Sequence, residues 1–187
     1  TILIASGIQG EGKSFTALNL ASVYAFYGKK TILLDFDLRK SKIMENLQID
    51  SEKGLSNYLS KNAALAEVVI QSEEMNFDLI PSGPLPPNPS ELISSQVTCE
   101  LMSELKKKYD IILIDSPPLG IVSDALLIHG CVDTMILVVR YNYTSREVLE
   151  NVTEDLQSRQ IKNINIVLND VIPSRSYYGY GYGYGYN

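Results

Sequence analysis

The stretch Gly7-Ile8-Gln9-Gly10-Glu11-Gly12-Lys13-Ser14 constrains this chain more than any other. It follows the apolar run Ile2-Leu3-Ile4-Ala5 and precedes Phe15 to Tyr27, a segment free of Gly and Pro. Strand, glycine loop, Gly-Lys-Ser and helix in that order make a phosphate-binding loop, because the glycines let successive backbone N–H groups converge on phosphate oxygens. The N-terminus of the following helix adds its positive end. Lys13 then reaches the β- and γ-phosphates, and the Ser14 hydroxyl offers Mg2+ a hard oxygen. Gly10, Glu11, Gly12, Lys13, Ser14 and Phe15 are the expected nucleotide contacts.

Two further apolar runs end in acids. Thr31 to Leu34 leads into Asp35-Phe36-Asp37-Leu38-Arg39, and Ile111 to Ile114 leads into Asp115 ahead of Ser116-Pro117-Pro118. Continuous apolar runs are strands buried on both faces, as in parallel sheets. In open α/β sheets the ligand crevice lies beyond the C-terminal strand ends, where these acids stand. Asp115 reads as a Walker B acid that holds Mg2+ directly or through water. Asp35 and Asp37 share a side if the first strand stays extended through both. The competing reading is that one or both cap the following turn.

The rest of the chain alternates strand and helix. Phe77 to Ile80, Thr134 to Arg140 and Asn165 to Asn169 read as strands, and Ser145 to Arg159 as a helix. Asn88-Pro89-Ser90-Glu91 makes a helix start that runs on to Lys108. Between Ser41 and Ile70 the signals are weaker, with helical readings near Gly54 to Leu59 and Ala63 to Ile70. A Ser-Asp pair at Asp124 reads as the cap of a short helix through His129. The helix after the glycine loop carries Phe15, Leu18, Val23 and Phe26 all round, which predicts burial on more than one side. The pattern specifies an α/β fold of the P-loop NTPase class, a mostly parallel central sheet with helices on both faces.

A length of 187 residues, 45% of them apolar, suits one domain with a full core. The net charge of −6 argues against a nucleic-acid partner, which needs clustered Lys and Arg. Cys99 and Cys131 stand isolated, without zinc-ligand spacing or a disulfide framework, which fits a reducing compartment. No run approaches the roughly 18 apolar residues of a membrane span. Thr1 enters a strand almost at once without an initiator Met, which reads as a segment of a longer chain.

Composition changes after Ile172. Tyr177, Tyr178, Tyr180, Tyr182, Tyr184 and Tyr186 interleave with four glycines, so half of the twelve tyrosines lie in the last eleven residues. A Gly–Tyr repeat cannot build a core. The expected organisation is a domain over 1–172 and a flexible tail over 173–187 that carries phenol hydroxyls on a tether.

Together these features resemble the cytoplasmic catalytic domain of the bacterial tyrosine kinases, the BY-kinase family. The resemblance rests on GEGKS at Gly10 to Ser14, LLDFDLRK at Leu33 to Lys40, PPNPSEL at Pro86 to Leu92, ILIDSPP at Ile112 to Pro118 and the tyrosine cluster. MinD and ParA-like ATPases are the nearest rivals; they carry a lysine just after the first glycine of the loop, where this chain has Ile8. The kinase resemblance implies ATP as donor with ADP as product, Mg2+ as cofactor, and autophosphorylation of the tail tyrosines in a neighbouring subunit's site. It implies catalytic roles for Lys13, Asp35, Asp37 and Asp115, a metal set of Ser14, Asp37 and Asp115, and an adenine contact from Asn169. Asp35 or Asp37 takes the tyrosine proton, the other binding Mg2+ or its waters. The implied partners are further copies of the chain, a membrane-spanning polysaccharide co-polymerase or adaptor region, and a protein-tyrosine phosphatase. The implied setting is the cytoplasmic face of the bacterial inner membrane, in control of capsular or exopolysaccharide synthesis and export. The rival class is a nucleotide-dependent switch ATPase whose tail is only a linker.

Overall fold

The computed structural model describes residues 1–71, 75–120 and 124–172. The tail tyrosines Tyr177 to Tyr186 lie outside them. In chain order the strands are β1 Ile2–Ser6, β2 Thr31–Asp35, β3 Ile70–Gln71, β4 Asp78–Ile80, β5 Ile111–Asp115, β6 Thr134–Arg140 and β7 Ile164–Asn169. They form one sheet in the order β3-β4-β2-β5-β1-β6-β7. All neighbours are parallel except β3, which runs antiparallel to β4. The helices are α1 Lys13–Phe26, α2 Ile43–Leu47, α3 Leu55–Leu59, α4 Leu65–Val68, α5 Pro89–Ile93, α6 Gln96–Leu105, α7 Asp124–Leu127 and α8 Arg146–Ser158, with a 3-10 turn at His129–Cys131.

Strand side chains alternate between faces, so each buried strand feeds two cores. On one face Ile4, Leu33, Leu113 and Val138 pack against Ala17 and Ala21 of α1 and Ile43 of α2. On the other, Leu3, Ile32, Ile114 and Leu137 meet Leu55 of α3, Leu101 of α6 and Leu156 of α8. Each such leucine or isoleucine, at 0 to 1% exposure, contributes on the order of 2 kcal/mol by leaving water. This double cover is why β2 and β5 read as unbroken apolar runs.

Three details depart from the sequence reading. Helix α1 buries only one stripe: Ala17 and Ala21 are fully covered, while Phe15, Val23 and Phe26 are 62%, 48% and 86% exposed. Ala17 and Ala21 let the backbone approach the sheet, Leu18, Leu20 and Tyr24 pack partly buried beside them, and Phe15, Val23 and Phe26 face outward. The helix expected from Pro89 to Lys108 is two helices, broken at Ser94-Ser95, where the Ser95 hydroxyl turns back to donate to the Leu92 carbonyl at 2.7 Å. The cysteines are not isolated either. Helix α6 brings Cys99 Sγ to 3.2 Å from Cys131 Sγ although 32 residues separate them. Burial there pushes the Cys131 thiol up to about 11. His129 plays a structural part, its Nδ1 lying 2.8 Å from the Leu126 carbonyl.

Candidate active site

The C-terminal ends of β1, β2 and β5 converge on one cleft of about 400 Å3. Its wall is the glycine loop from Gln9 to Ser14, with Phe15, Asp37, Arg39, Lys40 and Lys42 around it. Gly10 and Gly12 sit at φ 89° and 96°, the left-handed region that other residues enter only under strain. A Cβ on Gly12 would also stand 2.1 Å from the Asn169 amide nitrogen, so the loop requires glycine twice over.

Lys13 opens α1 and points inward, only 8% exposed. Its ammonium donates to Asp115 Oδ1 at 3.0 Å and lies 3.9 Å from Asp37 Oδ2. The Ser14 hydroxyl donates to Asp115 Oδ2 at 2.6 Å. Register accounts for the meeting: β1 lies between β5 and β6, so the loop leaving β1 passes directly over the end of β5. Lysine and serine thus satisfy the Walker B acid within the protein itself. A hydroxyl and a carboxylate oxygen held this close are hard ligands of the kind Mg2+ takes, and the loop beside them is a phosphate cradle, so this donor set fits a metal–nucleotide pair.

The two acids after β2 do not play equivalent parts. The strand ends at Asp35, and the chain then turns, with the Leu38 N–H donating to the Phe36 carbonyl at 2.9 Å. Asp35 is fully buried; its carboxylate accepts from the Asp37 N–H at 3.2 Å and from the Ser41 hydroxyl. Asp37 lies on the cleft and accepts from the Lys40 N–H at 3.0 Å. Both readings of the sequence hold in part, since each acid caps the turn while only Asp37 also lines the cleft.

Burial, reinforced by the neighbouring Asp115 charge, raises Asp35 from the ordinary carboxylate range to about 7. Burial likewise raises Asp115, against the pull of Lys13. Because the folded protein holds protons that the unfolded chain releases, stability from Asp35 is fully present below about pH 4 and is lost as pH rises through about 7. Denaturation of the nucleotide-free protein between pH 5 and 8 should therefore reveal falling stability, by at most about 1.4 kcal/mol per pH unit per group. A flat or rising curve would contradict the assignment.

The loop is also strapped from outside by Thr144, Arg140 and Tyr143, which carry no sequence signal, and by Asn169, which the family resemblance offered only as an adenine contact. Glu11 is buried, and its carboxylate accepts from the Ile8 N–H at 2.7 Å and from the Thr144 hydroxyl. The Asn169 amide donates to the Glu11 carbonyl at 3.0 Å. Arg140 donates to the Gly10 carbonyl and Tyr143 to the Gln9 carbonyl, each at 3.0 Å. These partners are 130 or more residues away in sequence, and only the pairing of β6 and β7 beside β1 brings them to the loop. Asn169 thus contacts the loop backbone at the end of β7, outside the lining of the cleft. The cradle is preformed.

A parallel sheet with a glycine loop, a buried lysine and a Walker B acid at its C-terminal end defines a P-loop nucleotide-binding protein. Residues 1–172 accordingly match the family model described as an AAA domain. The chain is 37% identical over 183 residues to the tyrosine-protein kinase YwqD of Bacillus subtilis (strain 168), covering 96% of this chain and 77% of that one. Tyrosine-protein kinase wzc of Salmonella typhi is 34% identical over 178 residues, 95% of this chain but 25% of its own length. Among solved structures, the kinase domain of the Escherichia coli tyrosine kinase ETK superposes with a TM-score of 0.88 at 31% identity, covering 100% of this chain and 72% of that one. The chain belongs to the bacterial tyrosine-protein kinase family, as its motifs led one to expect.

Proposed function

We propose that this chain transfers the γ-phosphoryl group of ATP to tyrosines in the C-terminal tail of a neighbouring copy. The observation that carries the proposal is the single cleft in which the glycine loop, Lys13, Ser14 and Asp37 meet, with Asp115 bonded to both Lys13 and Ser14. Phosphoryl transfer asks chiefly for positioning and charge neutralisation, and these residues provide both. Mg2+, when bound, supplies the divalent charge that offsets the phosphates; Ser14 and Asp115 are the residues that would hold it.

The chain's own groups divide the remaining work. The loop amides cradle the phosphates, and Lys13, released from Asp115, offers its charge to the group in transfer. Asp37 lines the cleft and is the carboxylate that takes the tyrosine proton as the new bond forms. Asp35, buried behind it, keeps Asp37 in place through the Asp37 N–H. Asn169 braces the loop through its bond to the Glu11 carbonyl, and the adenine contact is assigned to it from the family resemblance alone. Tyr177, Tyr178, Tyr180, Tyr182, Tyr184 and Tyr186 are the acceptors, on a tail that begins after residue 172.

The wider setting follows the same reading: a kinase on the cytoplasmic face of the bacterial inner membrane, reset by a phosphatase and controlling capsular or exopolysaccharide synthesis and export. What supports a membrane-spanning adaptor region is that the chain corresponds to only 25% of the Salmonella typhi relative. Among the described residues no helix is long and apolar enough to cross a membrane, so that region would lie elsewhere. The test is intact and peptide mass spectrometry after incubation with ATP and Mg2+. Multiple phosphates on Tyr177 to Tyr186 are expected. A protein that hydrolyses ATP yet leaves every tyrosine bare would instead be a nucleotide switch with a linker tail.

A further inference from the structure

The loop between β6 and α8 carries two tyrosines that the proposed reaction leaves unused. Tyr141, Asn142 and Tyr143 are exposed in succession, the tyrosines by 43% and 49%. Asn142 has φ 53°, a left-handed conformation natural to glycine. The loop therefore presents Tyr-x-Tyr with a glycine-like backbone at x, the arrangement that the tail spells out from Tyr178-Gly179-Tyr180 onward. It stands at the C-terminal end of the sheet, where the Tyr141 N–H donates at 2.9 Å to the carbonyl of Asn169, only a few residues in sequence before the tail.

Tyr143 is also one of the straps on the nucleotide loop. Its hydroxyl donates to the Gln9 carbonyl at 3.0 Å and lies 2.8 Å from the point where Gly10 would carry a Cβ. Above its ring, 5.0 Å from the centroid, is the Arg140 guanidinium, which donates to the Gly10 carbonyl and to Asp170 at 3.0 Å each. We propose that Tyr143 is a phosphoacceptor outside the tail and that its modification unstraps the nucleotide loop, so that the kinase turns itself down. The proposal rests on the tyrosine-kinase reading above.

In the transfer, the phenol oxygen of Tyr143 bonds to the γ-phosphorus while the bond from that phosphorus to the β,γ-bridging oxygen breaks. ADP leaves with the electron pair, and the phenol proton passes to a carboxylate in the cleft of the donating copy, Asp37 on the reading above. The product has no hydroxyl to donate, so the bond to Gln9 is lost. It also sets about −1.5 to −2 charges beside the carbonyls of Gln9 and Gly10. Arg140 then has a phosphate within reach and prefers it to the Gly10 carbonyl, because charge-assisted bonds are the stronger ones. Two straps are released by one modification.

Trypsin cleaves after Arg140 and Arg146, which isolates the reporter peptide Tyr141–Arg146. Active chain is mixed with isotopically labelled Lys13→Met chain, ATP and Mg2+, and the labelled reporter peptide is expected to carry one phosphate, on Tyr143. Phosphate on the labelled tail with the reporter peptide bare overturns this proposal and leaves the tail reading intact; phosphate on no tyrosine removes both. A second arm uses chain with phosphotyrosine encoded at position 143 and measures affinity for a fluorescent ATP analogue. Affinity about tenfold or more below that of the unmodified chain, restored by phosphatase, is expected. Tyr143→Phe, which loses one neutral hydrogen bond, is expected to weaken binding only about threefold. Equal affinity of phosphorylated and unmodified chain overturns the switch.

Discussion

Lys13→Met is expected to reduce tyrosine phosphorylation by at least about 10²–10³-fold, the usual consequence of deleting one charged group aimed at a developing transition-state charge. The same change should destabilise the empty protein at neutral pH. Lys13 is the cation 3.0 Å from buried Asp115 and 3.9 Å from Asp37, and stranding a buried carboxylate costs about 3–5 kcal/mol. Asp115 already has a raised pKa, and losing Lys13 raises it further by removing the largest interaction that lowers it. The unpaired acid can then escape its cost by taking up a proton, so the stability gap between mutant and native protein should narrow as pH falls from 8 to 5. Chemical denaturation at the two pH values, alongside phosphotyrosine quantitation, checks both halves. A gap that widens on acidification would mean that Lys13 does not neutralise this site.

Asp37→Asn and Asp35→Asn separate the two acids that follow β2. Loss of the general base should lower the rate by roughly 10²–10⁴-fold with a smaller effect on nucleotide affinity, and that is the result expected at Asp37. Asp35→Asn keeps the shape of the side chain and removes a buried charge, so its rate should fall by about tenfold or less, the scale of a disturbed position for Asp37. The same variant should be more stable than the native protein at pH 8, where native Asp35 must ionise in the interior, and the advantage should vanish near pH 5. Single-turnover phosphorylation and denaturation curves decide the matter. A dead Asp35→Asn beside an active Asp37→Asn would exchange the two roles.

The difference between these acids marks the limit of what the sequence reveals. The glycine loop and the Walker B strand were legible because their chemistry depends on neighbours in the chain: glycines at fixed spacing, a lysine after them, an acid at the end of an apolar run. Asp35 and Asp37 lie two residues apart in an identical local pattern, and what divides them is where β2 stops, which is decided by the turn to Ser41. The outer straps on the glycine loop from Gln9 to Glu11 were illegible for a related reason, since Thr144, Asn169, Arg140 and Tyr143 reach it by strand order alone. The Cys99–Cys131 approach is likewise set by the seating of α6. Helix α1 misled in the opposite direction. Apolar side chains all round it suggested burial on more than one side, yet only the face carrying Ala17 and Ala21, with Leu18, Leu20 and Tyr24 partly buried beside them, packs on the core.

That outward-facing apolar surface bears on how the molecule behaves at concentration. Phe26 and Tyr27 on the α1 side, and Ile166, Leu168 and Ile172 along the β7 edge, are all more than half exposed. Among the described residues no strand pairs with the outer edge of β7, and an edge of this kind is a template for pairing with another chain. The net charge of −6 opposes such pairing, acting across a Debye length of about 10 Å at 0.1 M salt and about 3 Å at 1 M. Salt therefore removes the repulsion while leaving the apolar contacts, and sulfate strengthens them. Self-association through these faces is expected to strengthen as ionic strength rises, and more steeply in sulfate than in chloride.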